Sequence, residues 1–124
     1  MTFNFRSILE CALGGLALFL AVLPADAQSR MWIDSESNKR RTCPSIECGI
    51  VGRFFMGESV TVYRTVNGWS QVSGYYSAGC NDGRSAFVDS GRRDCTKENG
   101  IHKGEFAEWV RSDFLTAERP GDSR

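Results

Sequence analysis

The chain has 124 residues, in which fifteen Lys or Arg balance fifteen Asp or Glu beside a single histidine. This length supports one domain, and the neutral balance excludes a global field that would favour nucleic acid or an anionic membrane. A domain this small buries only a modest fraction of its surface, so covalent crosslinks are expected to matter.

The amino terminus reads as an export signal. Arg6 supplies a positive charge, and an apolar run begins at Cys11 and continues through Leu23. Pro24 breaks it, and Ala25-Asp26-Ala27 places small residues where a signal peptidase cuts. Together these features predict a secretory signal peptide over 1–27, with cleavage after Ala27. The apolar run is shorter than the roughly 20 residues that span a hydrocarbon core. Membrane contact is therefore expected only if the segment is retained. Loss of Arg6, Glu10 and Asp26 would leave fourteen basic against thirteen acidic residues.

Cleavage would also remove Cys11 and leave Cys43, Cys48, Cys80 and Cys95. An even number in a short exported chain points to two disulfides. Of the three pairings, Cys43–Cys48 with Cys80–Cys95 is expected, because each pair is local and lies among turn residues. The spacing from Cys80 to Cys95 does not form a zinc knuckle, and no metal or other cofactor is expected.

In chain order, 28–37 is an arm or a first short strand carrying Trp32. Lys39-Arg40-Arg41 is too short for a basic patch motif and reads as a solvated edge. Ile50–Phe54 looks like a strand and Phe55–Glu58 a turn. Ser59–Val66 alternates with period two, Val60 and Val62 on one face and Thr61, Tyr63 and Thr65 on the other. Asn67-Gly68 is a hairpin signal, since both residues tolerate positive φ. Trp69–Tyr75 is the predicted return strand, with Trp69 and Gln71 facing opposite to Ser70 and Val72.

The segment 77–104 is rich in Gly, Asn, Asp, Arg and Lys, and predicts a long insertion pinned by Cys80–Cys95, with a small strand at Ala86–Asp89. Structureless loops of this length are uncommon unless functional or disordered. Regular structure returns at Glu105–Val110. Near-helical spacing of Phe106, Trp109, Val110 and Phe114 keeps a helix open there beside a strand. Arg111–Leu115 reads as a 3₁₀-type turn, and 117–124 as a polar tail. Short strands, tight turns and no sustained helical period make the chain all-β.

Several stretches in series resemble the bacterial SH3-like domain family: Arg41-Thr42-Cys43-Pro44-Ser45, Val51-Gly52, Gly57-Glu58-Ser59-Val60-Thr61-Val62, Gly68-Trp69-Ser70-Gln71-Val72, Glu108-Trp109-Val110 and Phe114-Leu115. The resemblance covers roughly residues 38–116. It implies a small SH3-like barrel of about five short strands, interrupted by the insertion 77–104. Charged Lys39-Arg40 replaces an apolar family position, so the first strand of that domain is expected to be short or at an edge. Family members look like targeting or binding modules of cell-wall enzymes, or stand-alone envelope proteins, and fold alone does not establish function.

No catalytic constellation is legible. His102 stands beside Lys103 in a polar, Gly-flanked stretch and reads as a solvated loop residue, while the acids are scattered through loop sequence. Trp69 and Trp109 read as core. Tyr63, Tyr75 and Tyr76 are the aromatic candidates for exposure, and Arg84, Arg92 and Arg93 on the insertion could meet carboxylates bidentately. The expected function is a non-enzymatic cell-envelope binding module that recognises a peptide, peptidoglycan or a periplasmic protein. The alternative is a structural or regulatory subunit of an envelope or secretion assembly, held by sheet-edge pairing.

Overall fold

The computed structural model describes residues 28–121, so the signal segment expected over 1–27 and the last three residues of the tail lie outside the described residues. Between them the chain is all-β and antiparallel. Its strands are β1 (Ser29–Ile33), β2 (Ser37–Arg41), β3 (Ile50–Phe55), β4 (Ser59–Val62), β5 (Arg64–Val66), β6 (Trp69–Gln71), β7 (Tyr76–Ser77), β8 (Cys80–Asn81), β9 (Arg84–Ser85), β10 (Glu105–Phe106), β11 (Trp109–Arg111) and β12 (Leu115–Thr116). A five-stranded sheet has the order β3-β2-β11-β6-β5, and a three-stranded sheet the order β12-β1-β4. Two further pairs, β10-β7 and β8-β9, belong to the excursion. The described sheets do not close into a barrel.

The two larger sheets meet where the chain bends between β4 and β5. The period-two run of Ser59–Val66 predicted one strand, but Tyr63 divides it. β4 pairs with β1 and β5 with β6, while the Tyr63 amide still donates to the Gln71 carbonyl at 2.8 Å. The main core sits at this junction: Ile33, Val60, Val72 and Val110, flanked by Met31, Phe54, Val62 and Leu115. Each fully buried aliphatic side chain there contributes roughly 1.5–3 kcal/mol.

Asn67-Gly68 forms the expected hairpin, with φ of 47° and 85° at the two turn residues, the backbone of a type I′ turn. The return strand is shorter than predicted, ending at Gln71, and exposure does not alternate along it. Trp69, Ser70, Gln71 and Val72 are all buried, because one face meets the core while arginines lie over the other. β2 lies inside the five-stranded sheet, where an edge position was one expectation. Arg40 is accommodated there by stacking on Phe54, with 5.0 Å to the ring centroid, and by pairing with Glu108.

Cys43–Cys48 and Cys80–Cys95 both form, with Cα separations of 5.6 and 6.3 Å. Residues 77–104 are more ordered than their composition predicts. The excursion leaves and returns through β7 and β10, where Ser77 faces Glu105 and Tyr76 faces Phe106. It has its own apolar cluster of Ala78, Ile101 and Phe106, against which Val51, Tyr76 and Cys95 pack. The small strand expected at Ala86–Asp89 is absent; its place is taken by the β8-β9 hairpin, turned at Asp82-Gly83 with φ of 56° and 75°. Val88 is simply buried as a loop anchor. Glu105–Phe114 resolves as strand, strand and then a 3₁₀ turn over Ser112–Phe114, so the helical reading fails.

Asn99 joins the excursion to the first disulfide loop. It is 0% exposed and follows Lys97 and Glu98 in a second 3₁₀ turn. Its Oδ1 accepts from the Gly49 amide at 2.9 Å and from the Thr42 hydroxyl at 3.2 Å, while Nδ2 donates to the carbonyls of Arg92 and Asp94, both at 3.0 Å. The Thr42 hydroxyl also donates to the Asn99 carbonyl at 2.6 Å. The approach requires glycine on both sides. A Cβ at Gly49 would lie 2.2 Å from the Arg92 carbonyl oxygen, and one at Gly100, where φ is +82°, would lie 2.1 Å from that of Thr42.

Asn99→Ala should destabilise the fold by about 3 kcal/mol or more, because three buried backbone groups lose a partner at about 1–3 kcal/mol each. Asn99→Asp should be at least as harmful, since it turns an oxygen toward two carbonyls. The check is the urea midpoint of each variant.

Candidate functional site

The residues on one face of the five-stranded sheet follow from its register. Lys39 faces Arg53 across β2 and β3, Arg41 faces Trp109 across β2 and β11, and Arg111 faces Trp69 across β11 and β6. Gln71 in turn faces both Trp109 and Arg64. Directly opposed residues share a face, so Arg53, Lys39, Arg41, Arg111 and Arg64 occupy the same side. Two arginines cover the buried tryptophans, Arg64 over Trp109 at 5.0 Å and Arg111 over Trp69 at 5.6 Å. Each such contact is worth about 0.5–1 kcal/mol at an exposed site. Arg64 is further fixed by donating to Gln71 Oε1 at 2.7 Å and to the Tyr75 hydroxyl at 3.4 Å.

A cleft of about 200 Å³ opens on this face, lined by Ser37, Asn38, Lys39, Arg41, Ile46, Trp69, Arg111 and Phe114. Period-two alternation in β2 directs Lys39 and Arg41 to the same side of the strand. Ile46 projects from the Cys43–Cys48 loop and is 66% exposed, and Phe114 projects from the 3₁₀ turn after β11. The loop is held by its disulfide, by the Cys48 amide bonded to the Ser45 carbonyl at 3.2 Å, and by Arg41, which donates to the Cys48 carbonyl at 2.8 Å. Burial lowers the pKa of the Arg41 guanidinium. None of the lining residues is an acid. The acid paired nearby is Asp113, 3.8 Å from Arg111 and with a side chain 78% exposed, and a solvated pair of that kind contributes only about 0–1 kcal/mol.

The opposite side of β2 carries a part-buried polar group of different character. Glu108 accepts from Arg40 at 3.1 Å and from the Tyr76 hydroxyl at 2.5 Å. Tyr76 also packs edge-on against Phe87 and tilted against Phe106, with centroids at 6.2 and 4.7 Å. Burial, then the hydrogen bond and the charge of Glu108, push the Tyr76 hydroxyl well above the ordinary tyrosine range.

The candidates named from sequence therefore lie in different neighbourhoods. Tyr63 is half-buried at the bend between β4 and β5, and Tyr75 is exposed beside Arg64. Tyr76 has its ring against the excursion's core. Arg84 is exposed on β9, and Arg93 donates to the Asp89 carbonyl at 3.1 Å. Arg92 pairs with Asp94 at 2.8 Å; that bond, followed by one from Thr96, holds the Asp94 carboxyl down to about 2. His102 is exposed and closes a turn with Glu105 through paired backbone bonds of 2.9 and 3.0 Å.

The sequence reading missed Lys39, Arg41, Ile46, Arg111 and Phe114 as site residues. Alternation within Lys39-Arg40-Arg41 was the available signal, since it separates the two cleft cations from the Glu108 partner. Comparison with protein-family models, curated proteins and solved structures finds no match to this chain.

A phenol whose pKa is higher folded than unfolded contributes stability that is complete below about pH 10 and is lost as pH rises beyond it. The wild-type denaturation midpoint should accordingly fall more steeply above that pH than the midpoint of Tyr76→Phe, as measured by urea unfolding at a series of alkaline pH values.

Proposed function

We propose that this chain is a non-enzymatic, exported binding module, SH3-like in its domain over 38–116, which recognises a peptide or a peptide-bearing polymer of the cell envelope. The observation that carries the reading is the cleft, where three cationic side chains and two exposed apolar ones converge on a rigid floor. Exposed Ile46 and Phe114 are held in place by a disulfide loop and a 3₁₀ turn, so little ordering cost opposes binding. Two disulfides are consistent with the oxidising compartment that an exported chain would enter. The SH3-like assignment is supported by the order of its motifs, by the strand bent at Tyr63 between two antiparallel sheets, and by the 3₁₀ turn after Trp109-Val110.

The test is cosedimentation of the purified protein with purified peptidoglycan sacculi, alongside nuclear magnetic resonance titration with peptides released from them. Retention should drop about tenfold or more in Ile46→Ser and in Phe114→Ala, since loss of a well-seated apolar anchor is worth more than about 1.4 kcal/mol. Retention equal in both variants and wild type would move the site elsewhere.

A further inference from the structure

We propose that the cleft is a terminal-carboxylate site, taking the free carboxyl end of a peptide whose last side chain is apolar. This rests on the reading of the cleft as the binding site and names what it selects.

Four observations lead there. The lining carries Lys39, Arg41 and Arg111 without a carboxylate, so like charges converge where the whole chain is neutral. Lys39 directly opposes a further cation, Arg53, across the sheet. Cross-strand like charges are destabilising, and an anion held at Lys39 offsets that repulsion. Arg41 uses Nη1 for the Cys48 carbonyl, and the rest of its planar fork is suited to a carboxylate, as is that of Arg111 over Trp69.

Size selects a chain end. At about 200 Å³ the cleft is smaller than the roughly 300–1,000 Å³ of pockets that enclose a drug-sized ligand. One or two residues fit, with the remainder of the chain outside. Ile46 and Phe114 at the rim then meet an apolar side chain adjoining the carboxylate. An internal aspartate or glutamate would carry its charge on a side chain and leave backbone on both sides to accommodate. A terminal carboxylate brings the charge and the end of the chain together.

The experiment compares acetyl-alanyl-alanyl-leucine as the free acid with its carboxamide, binding to the purified protein followed by amide chemical shifts and by calorimetry. The acid should bind about tenfold or more tightly than the amide, shift Lys39, Ile46 and Phe114, and weaken as ionic strength rises from about 50 to about 200 mM. Lys39→Gln and Arg111→Gln should each remove most of the acid's advantage. The exposed Lys39 can be replaced with the thermal midpoint nearly unchanged, whereas Arg111→Gln should also lower that midpoint by a few degrees through lost stacking on Trp69.

Equal binding of acid and amide at the cleft would overturn the carboxylate assignment and leave the cleft as a binding site. No shift at cleft residues with either peptide would overturn both. Tighter binding of an oligothymidylate at the same residues would make the site one for polyanions and sink the proposal.

Discussion

The fold depends on one buried amide. Asn99 is part of the excursion by sequence, yet its side chain holds both segments: the backbone of the first disulfide loop at Gly49 together with the Thr42 hydroxyl, and the excursion's backbone at Arg92 and Asp94. An amide is suited to this because it offers acceptor and donor at opposite corners. An apolar residue would leave the same groups unsatisfied inside the protein. The position of Ile46 at the cleft follows from this clamp and from the crosslink closing the same loop. The long segment that resembles an appendage in sequence is thus a brace for the loop that carries Ile46.

The basic face shows how a neutral protein can carry a local field. Side-chain direction alternates through β2: Lys39 and Arg41 line the cleft, while Arg40 is paired from behind with Glu108, which also accepts from the Tyr76 hydroxyl. Over the tryptophans the arginines do two things at once. Their stems and guanidinium planes shield indole from water, and their charged edges remain at the surface. The site is therefore stiff without being apolar throughout.

Much of the fold was legible because it rests on local chemistry. Asn67-Gly68 reports its own turn through backbone sterics, local cysteine spacing makes the two crosslinks the simplest pairing, and β-branched alternation marks β4 and β5 even though Tyr63 divides them. What was not legible depended on partners distant in sequence. Gln71 and Ser70 look polar and therefore exposed, but strands on both sides and the arginines above bury them. Asp82-Gly83 carried the same hairpin signal as Asn67-Gly68, masked by the absence of apolar residues around it. The candidate site was hidden for a related reason. Its cations come from β2 and β11, some seventy residues apart in sequence, and only the register places them together.

The order of the crosslinks bears on how the protein matures. The first and second cysteines after residue 27 join, and so do the third and fourth. A thiol oxidase acting on a chain that emerges amino terminus first would meet each partner before the next pair arrives. Native connectivity is then the kinetic product as well as the final one, and exchange through mixed disulfides has no wrong pair to undo. Consecutive pairing of this kind lowers the demand on a disulfide isomerase.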